Sequence, residues 1–357
     1  MLNLNFKDKN LKIVQKFWIF LIVSVVIIVA GLVDTFFVRH MNLGVEFEGG
    51  ISINVDVGGV SDLSSDELEE QVKAWLMGGN DKKDVYDVDG TVQKSGVGLK
   101  TLTFRISATK KDASGKTVNM NVLGADDKLE IVHTSEYIKD EEKGLTAHLQ
   151  EVYGDKAVID VETQVISESQ ANATVRKAFI AVAVAVVVIL IYIALRFNLL
   201  AGVSAIVALL HDVLIMVALT TIFQLPVNMT FIAAIITIVG YSINATIVVF
   251  DRIREINALP SNMEKTDVEI ANEAIAGTLS RSILTTLTTL VMIIILAIFG
   301  SSAIRDFALP IIFGLLAGLY SSVLLSAPLW VKLRKLFKQE NKKPVKKMKK
   351  IKEDAKA

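Results

Sequence analysis

Several ionisable and polar side chains lie inside runs that are otherwise apolar, and they are the residues whose types could do chemistry. His211-Asp212 falls near the middle of Leu199–Phe223, about a dozen residues from either end. Tyr241, Ser242 and Asn244 lie toward the end of Thr230–Phe250, just before Asp251-Arg252-Ile253-Arg254-Glu255. Arg281 opens the next apolar run and precedes Thr285, Thr286, Thr288 and Thr289. A charge in hydrocarbon costs about 2.5–3.5 kcal/mol on insertion scales, so it needs a partner, a proton or water. Such residues default to functional candidates, and Asp212, deepest in its run, is the hardest to dismiss as packing. Asn244 can take part only as a hydrogen-bonding group, because an amide does not titrate near neutral pH.

Blander roles compete for the same residues. Threonines in spans usually bond their own helix, and Gly314 and Gly318 form a G-x-x-x-G that more often marks a packing face. Arg281 could snorkel to the membrane surface, and Arg252, Arg254 and Glu255 read as interfacial anchors. Asp212 could be structural, bonded to an adjacent helix. An intramembrane aspartyl protease would want two aspartates on facing spans, and only Asp212 is securely inside. A metal would want clustered ligands. His211-Asp212 is a single adjacent pair whose side chains are expected to diverge on a helix, so neither metal nor cofactor is expected and the chain does not read as an enzyme.

The elements that must hold these residues follow from hydropathy. The 357 residues are 52% hydrophobic with a mean hydropathy of +0.49, against a purely soluble protein, while 21% charged residues argue against a chain that is nearly all membrane. Cysteine is absent, which excludes disulfides and thiolate metal sites. Thirty-eight basic and 38 acidic side chains cancel, so a basic nucleic-acid binder is not suggested. Spanning the hydrocarbon takes about 20 helical residues, and six runs qualify: 11–33, 176–195, 199–223, 230–250, 282–299 and 307–331. The first is too long for a signal h-region, has no A-x-A-like site before Asp34, and reads as a retained anchor.

Orientation follows from the positive charges of the short connections. Lys7, Lys9, Lys12 and Lys16 surround the start of the first span, Arg196 follows the second, and Arg252, Arg254, Lys265 and Arg281 fall in 251–281. The tail 332–357 carries about a dozen lysines and arginines, with Lys342 to Lys352 suited to anionic lipid. Gln224–Asn228 has no positive charge and Gly300–Asp306 only Arg305. The pattern predicts both termini, including the tail 1–10, in the cytoplasm and the segment 34–175 outside.

That outer segment holds roughly 25 acidic and 13 basic side chains between residues 41 and 172. Ile51, Ile53, Val55 and Val57 alternate with polar neighbours, the period of a half-buried strand. A helix follows Ser65 through Leu68, Val72, Trp75 and Leu76 to Gly78-Gly79, with strands at Val85–Val92 and Leu99–Ile106. A second helix over Ser135–Tyr153 and a strand over Ala157–Ile166 complete β-α-β-β-α-β, a ferredoxin-like α/β order. Ala108–Asp127 reads as an inserted loop or hairpin. His133 and His148 are isolated and the acids dispersed, so no active site is evident. Gly44-Val45-Glu46-Phe47-Glu48-Gly49-Gly50, where the first span meets the domain, allows a plain turn or a close backbone approach.

The fourth span carries a resemblance. The run from Val239, Gly240 and Tyr241 through Asn244 and Ala245 to Asp251, Arg252 and Glu255 resembles the signature of the SecF protein-export family, within the SecD/SecF half-transporters of the RND superfamily. The Gly44–Gly50 run resembles that family's G-I-D-F-x-G-G element. Tyr192–Arg196 with Ala208–Val213, Thr278–Thr289, Arg305–Ala308 and Tyr320–Ser322 resemble its other spans. The resemblance implies six helices with an outer α/β domain, located in the bacterial cytoplasmic membrane. It implies an accessory role in Sec export with SecD, beyond the SecYEG channel, drawing on the proton gradient. Translocating preprotein, membrane lipid, and SecA and YidC- or YajC-type factors are the implied partners, with no nucleic acid. In the family a carboxylate follows the asparagine and an arginine opens the fifth span. Arg281 matches the arginine, but the carboxylate position is Ala245. The missing acid could come from the partner, Asp212 could substitute, or export could be assisted without proton coupling. The competing class, an RND-like small-molecule or lipid exporter, would predict a greasy outer cavity, whereas this outer segment is acidic and small.

Overall fold

The computed structural model describes residues 12–48, 50–58, 67–68, 70–72, 75, 88–89, 100–107, 109–111, 117–119, 144–154, 158–166, 168–262, 264–300 and 302–337. Six of its helices are long and apolar enough to cross a membrane. The first, α1 (Phe17–Val33), is flanked by a 3-10 turn at Val14–Lys16 and a wider π turn at Asp34–Val38. After a single turn, α2 (Val45–Glu48), come the strands β1 (Gly50–Gly58), β2 (Val88–Asp89), β3 (Lys100–Ser107), β4 (Thr109–Lys111) and β5 (Thr117–Asn119). Helix α3 (Leu145–Tyr153) and strand β6 (Val158–Ile166) follow, and then the chain is helical almost to its end.

Those helices are α4 (Glu168–Arg196), α5 (Leu199–Ile222), α6 (Met229–Ala258), α7 (Asp267–Phe299), α8 (Ser302–Ser321) and α9 (Ala327–Leu336), the last two joined through a π segment at Ser322–Ser326. Their starts are written in side chains. Asn198 caps α5 by accepting from the Ala201 N–H at 2.9 Å, and Asn228 caps α6 by accepting from Phe231 at 3.1 Å. Thr266 and Glu269 close a capping box at the start of α7. The segment 251–281, expected as a loop, is therefore largely helical. Arg252–Glu255 and Arg254–Asp251 pairs support the extra turns of α6, and the capping box starts α7 at Asp267.

Helices α5, α6 and α8 form the packed centre, and α1, α4 and α7 leave apolar faces outward, among them Val26, Phe179 and Met292. Two apolar clusters stabilise it: one around Val249, Ile253, Ile270 and Trp330, the other around Met216, Phe231, Ile238 and Leu315. The glycines set helix separations. A Cβ on Gly314 would lie 2.4 Å from Ile238 Cγ1, and one on Gly31 would lie 2.5 Å from the Ala218 backbone. The G-x-x-x-G face thus packs α8 on α6.

In the segment between α1 and α4, a four-stranded antiparallel sheet runs β2-β3-β1-β6, with β4 and β5 as a separate hairpin. Ile53, Val55 and Val57 are buried along one face, as their alternation requires, and Leu68, Val72, Leu145 and Leu149 are buried as well. Of the expected strand Val85–Val92 only Val88–Asp89 is described, and of the helix from Ser135 only the part from Leu145. The start of the first helix at Ser65, Gly49, His133, Lys7, Lys9 and Lys342 to Lys352 lie outside the described residues.

The sheet segment is tied to the bundle by a strap. The residues leaving α1 run beside the α5–α6 turn: Gly44 donates to the Val227 carbonyl at 2.8 Å and Val227 donates to that of Asn42 at 2.8 Å. Asn42 Nδ2 donates to the Gln224 carbonyl at 3.0 Å, and Gln224 Nε2 to that of His40 at 3.2 Å. Arg39 pairs with Asp34 at 2.9 Å and donates to the Ile222 carbonyl at 3.0 Å. His40 (φ 62°) and Gln224 (φ 52°), the non-glycine residues with positive φ among those described, both belong to this strap, where the surrounding bonds hold a conformation side chains disfavour.

Two polar sites in the helix bundle

The enclosed site is built on α5. Asp212 is fully buried and accepts hydrogen bonds from Ser242 Oγ of α6 and, at 2.8 Å, from Ser321 Oγ of α8. His211 Nδ1 lies 2.8 Å from Asp212 Oδ1, and its Nε2 lies 2.8 Å from Ser24 Oγ of α1. Ser24 Oγ also lies 3.1 Å from the Phe20 carbonyl, which accepts the Tyr320 hydroxyl at 2.7 Å. The Tyr320 and His211 rings stack with centroids 6.0 Å apart. Close approach of α8 to α6 is permitted by Gly318, where a Cβ would stand 3.3 Å from Ser242 Cβ. The expectation that His211 and Asp212 diverge is corrected: although they are sequence neighbours, their side chains meet. Partners on α1, α6 and α8 hold them together, which the local helix geometry alone would not do.

The open site lies between α6 and α7. Tyr241, Asn244, Ala245 and Val248 fall on one helical face and line a small cavity of about 40 Å³ with Arg281, Ser282 and Thr285 of α7. Tyr241 donates its hydroxyl to the Thr285 carbonyl at 2.9 Å and meets Thr289 Oγ1 at 3.1 Å. Thr285, Thr288 and Thr289 bond carbonyls of their own helix. Arg281 and Asn244 are exposed, and among the described residues neither side chain has a hydrogen-bond or ion-pair partner. A carboxylate at position 245 would share this cleft with Arg281; alanine puts no acid there.

The structure therefore brings Tyr241, Asn244, Ala245 and Arg281 together in one cleft, while Asp212 is held in the enclosed site by Ser242 and Ser321. Asp251 sits at the end of α6, bonded to Arg196 at 2.7 and 2.9 Å and paired with Arg254 at 3.5 Å; Arg252 pairs with Glu255 at 2.6 Å. A Cβ on Gly240 would meet nothing within 4 Å. Gly44 belongs to the strap and Gly50 opens β1. A Cβ on Gly44 would stand 2.3 Å from Glu46 Oε2, which places Glu46 beside the strap. Among the described residues no three His, Asp or Glu side chains gather as a metal site would need. Sequence reasoning missed Ser24 and Ser321. The available signal was that Ser24 is the one hydroxyl in the apolar run from Phe17 to Val33.

The family described as "Protein export membrane protein SecD/SecF, C-terminal" matches residues 145–336, more than half of the chain. The chain belongs to the SecD/SecF family. Relatives named protein translocase subunit SecF place it on the SecF side. The one from Borreliella burgdorferi is 30% identical over 321 residues, covering 89% of this chain and 95% of the relative. That from Alicyclobacillus acidocaldarius is 42% identical over 177 residues, or 49% of this chain and 57% of the relative. Protein translocase subunit SecDF of Bacillus subtilis is 32% identical over 317 residues, 87% of this chain but 36% of its own length. The chain thus spans little more than half of the second relative and about a third of the third. Among solved structures, SecDF from Thermus thermophilus, a translocon-associated membrane protein, is similar with a TM-score of 0.67 and 25% identity over 92% of this chain and 39% of that one. A multi-pass helical membrane protein of the SecF type is the result.

Proposed function

We propose that this chain is a non-enzymatic accessory subunit of the Sec translocase, acting with SecD to assist preprotein export across the bacterial cytoplasmic membrane. The relatives' names support the export role. The positive charges support an orientation with both termini, the spans' basic ends and the tail 332–357 in the cytoplasm, and the acidic segment 34–175 outside. The sheet order β2-β3-β1-β6 between two helices in sequence supports a ferredoxin-like fold for that segment.

The observation that carries the mechanism is the cleft of Asn244, Ala245 and Arg281. An exposed arginine with no partner among the described residues lines this cleft from α7, at the start of its apolar run. A charge so placed calls for an opposite one on whatever packs there. The partner subunit supplies that acid, and Arg281 lowers the free energy of its ionised form by proximity. Protonation in the interface then biases the packing of the two half-bundles, and the strap conveys the change to the outer segment, which grips or shields emerging polypeptide. SecYEG and the preprotein are the further partners, with SecA and YidC- or YajC-type factors at the periphery. Co-purification with tags on this chain, followed by proton flux of the reconstituted pair, tests the reading. SecD and the channel should be recovered, and flux should vanish on neutralising the partner's membrane acid. Recovery of neither partner, or flux that persists without that acid and stops in Asp212→Asn, overturns it.

A further inference from the structure

The enclosed site has a proton inventory that can be read from its hydrogen bonds. Ser242 and Ser321 both direct their hydroxyls to Asp212 Oδ2, and His211 Nδ1 addresses Oδ1. The hydrogen between Oδ1 and Nδ1 is taken to lie on Nδ1, so that the carboxylate is an acceptor only and all three neighbours are donors. The variable atom is Nε2. Ser24 has one hydroxyl hydrogen and two acceptors within reach, Nε2 at 2.8 Å and the Phe20 carbonyl at 3.1 Å.

If the Ser24 hydrogen points to Nε2, the imidazole is neutral. If it points to the Phe20 carbonyl, Nε2 must itself donate to Ser24 Oγ, and the ring is an imidazolium beside the Asp212 carboxylate. The Phe20 oxygen accepts Tyr320 in both arrangements, and the Ser24 hydroxyl joins the Ser24 N–H on it as a serine bonding back to its own helix does. Neither state leaves a buried polar group unpaired, which is the condition for both to exist in an apolar interior. The titratable groups gathered here are His211, Asp212 and Tyr320; α1 and α6 contribute Ser24 and Ser242.

We propose that His211, held between Asp212 and Ser24, is a proton-binding site of this chain, distinct from the Arg281 cleft, in which rotation of the Ser24 hydroxyl matches the gain or loss of one proton at Nε2. On uptake a proton from water forms the Nε2–H bond, the Ser24 O–H turns from Nε2 to the Phe20 carbonyl, and the pair passes from a charge of −1 to zero. Release reverses each step. Ser24 is 2% exposed and does not line the Arg281 cleft, so the Ser-His-Asp row is enclosed by its helices and is assigned a proton and no acyl group. The four helices that meet here are α1, which leads to the strap, and the central α5, α6 and α8. Proton occupancy thereby reaches the packing on which the proposed function rests, while the binding itself stands apart from that function.

The test is nitrogen NMR on the full chain with its partner subunit in lipid vesicles, labelled on its four histidines and assigned with His211→Gln. Nε2 of His211 should pass between unprotonated and protonated signals as pH is varied. Ser24→Ala should displace the midpoint by about one pH unit or more, the tenfold effect of losing a hydrogen bond to a charged group, and Ser24→Thr, which keeps the hydroxyl, should restore it. An Nε2 that stays in one state wherever the complex is folded overturns the proposal, as does a Ser24→Ala midpoint equal to that of the wild type. Failure of the export reading would appear in co-purification and flux and would leave this titration in place.

Discussion

Gly44 and Val227 share a backbone hydrogen bond of 2.8 Å that fastens the exit from the first span to the turn between the third and fourth. A Cβ on Gly44 would stand 3.0 Å from Asn228 Cβ and 3.3 Å from the Val227 carbonyl oxygen. Gly44→Ala should therefore lengthen the bridge and cost about 1–3 kcal/mol, as overpacking does. Thermal unfolding in detergent reads the loss, and an unshifted transition would show that the strap yields freely.

Restoring a carboxylate should re-form a pair within the chain. Ala245→Asp places an acid on the cleft that Arg281 lines. The expected outcome is export assistance that survives neutralisation of the partner's membrane acid, read as precursor processing in cells. No rescue, with the variant stably inserted, would mean the acid must sit on the partner.

The ion pair between Arg334 and Asp267 joins α9 to the start of α7 at 3.3 Å, with side chains 14% and 5% exposed. Arg334→Ala removes this partner of a buried carboxylate, and breaking such a pair costs about 3–5 kcal/mol. Chemical unfolding should show that loss. A double variant with Asp267→Asn should recover part of it, because the uncompensated charge has gone.

Tyr153 provides the pH prediction for the sheet segment. Burial first, and the negative charge of Glu67 second, raise its phenol above the ordinary 10.0. The folded state holds this proton more tightly than the unfolded chain. The stabilisation is therefore complete below pH 10.0 and is lost as pH climbs from there through the raised value. Alkaline unfolding of wild type and Tyr153→Phe should diverge above that pH, with the variant losing less. Parallel curves would exclude the phenol as the cause. Its hydroxyl has no hydrogen-bond partner among the described residues, so Phe should be neutral or stabilise by about 1 kcal/mol at neutral pH.

The spans were legible because twenty-odd apolar residues admit few alternatives in a bilayer, and the face shared by Tyr241, Asn244 and Ala245 follows from helical period alone. The extra turns of α6 and α7 were missed because charged side chains masked them, although Thr266 and Glu269 stood at capping-box spacing. The meeting of His211 with Asp212 was illegible for a different reason. It depends on Ser24, Ser242 and Ser321, serines from three other helices, and of these only Ser242 stood out in the sequence, with nothing there to join it to His211-Asp212. Likewise the strap needs an α5–α6 turn beside residues 39–44, and no local pattern announces that neighbour.

Helix α6 serves both polar sites, with Ser242 bonded into the enclosed one and Tyr241, Asn244 and Ala245 lining the open one. A rigid helix shared in this way gives mutational cross-talk between two sites lined by different side chains. Enlarging position 242 turns the helix and re-aims 245 toward or away from Arg281. Substitutions at Ser242 and Ala245 should accordingly be non-additive, by about 0.5 kcal/mol or more in a double-mutant cycle. Purely additive effects would show that α6 bends locally and insulates one site from the other.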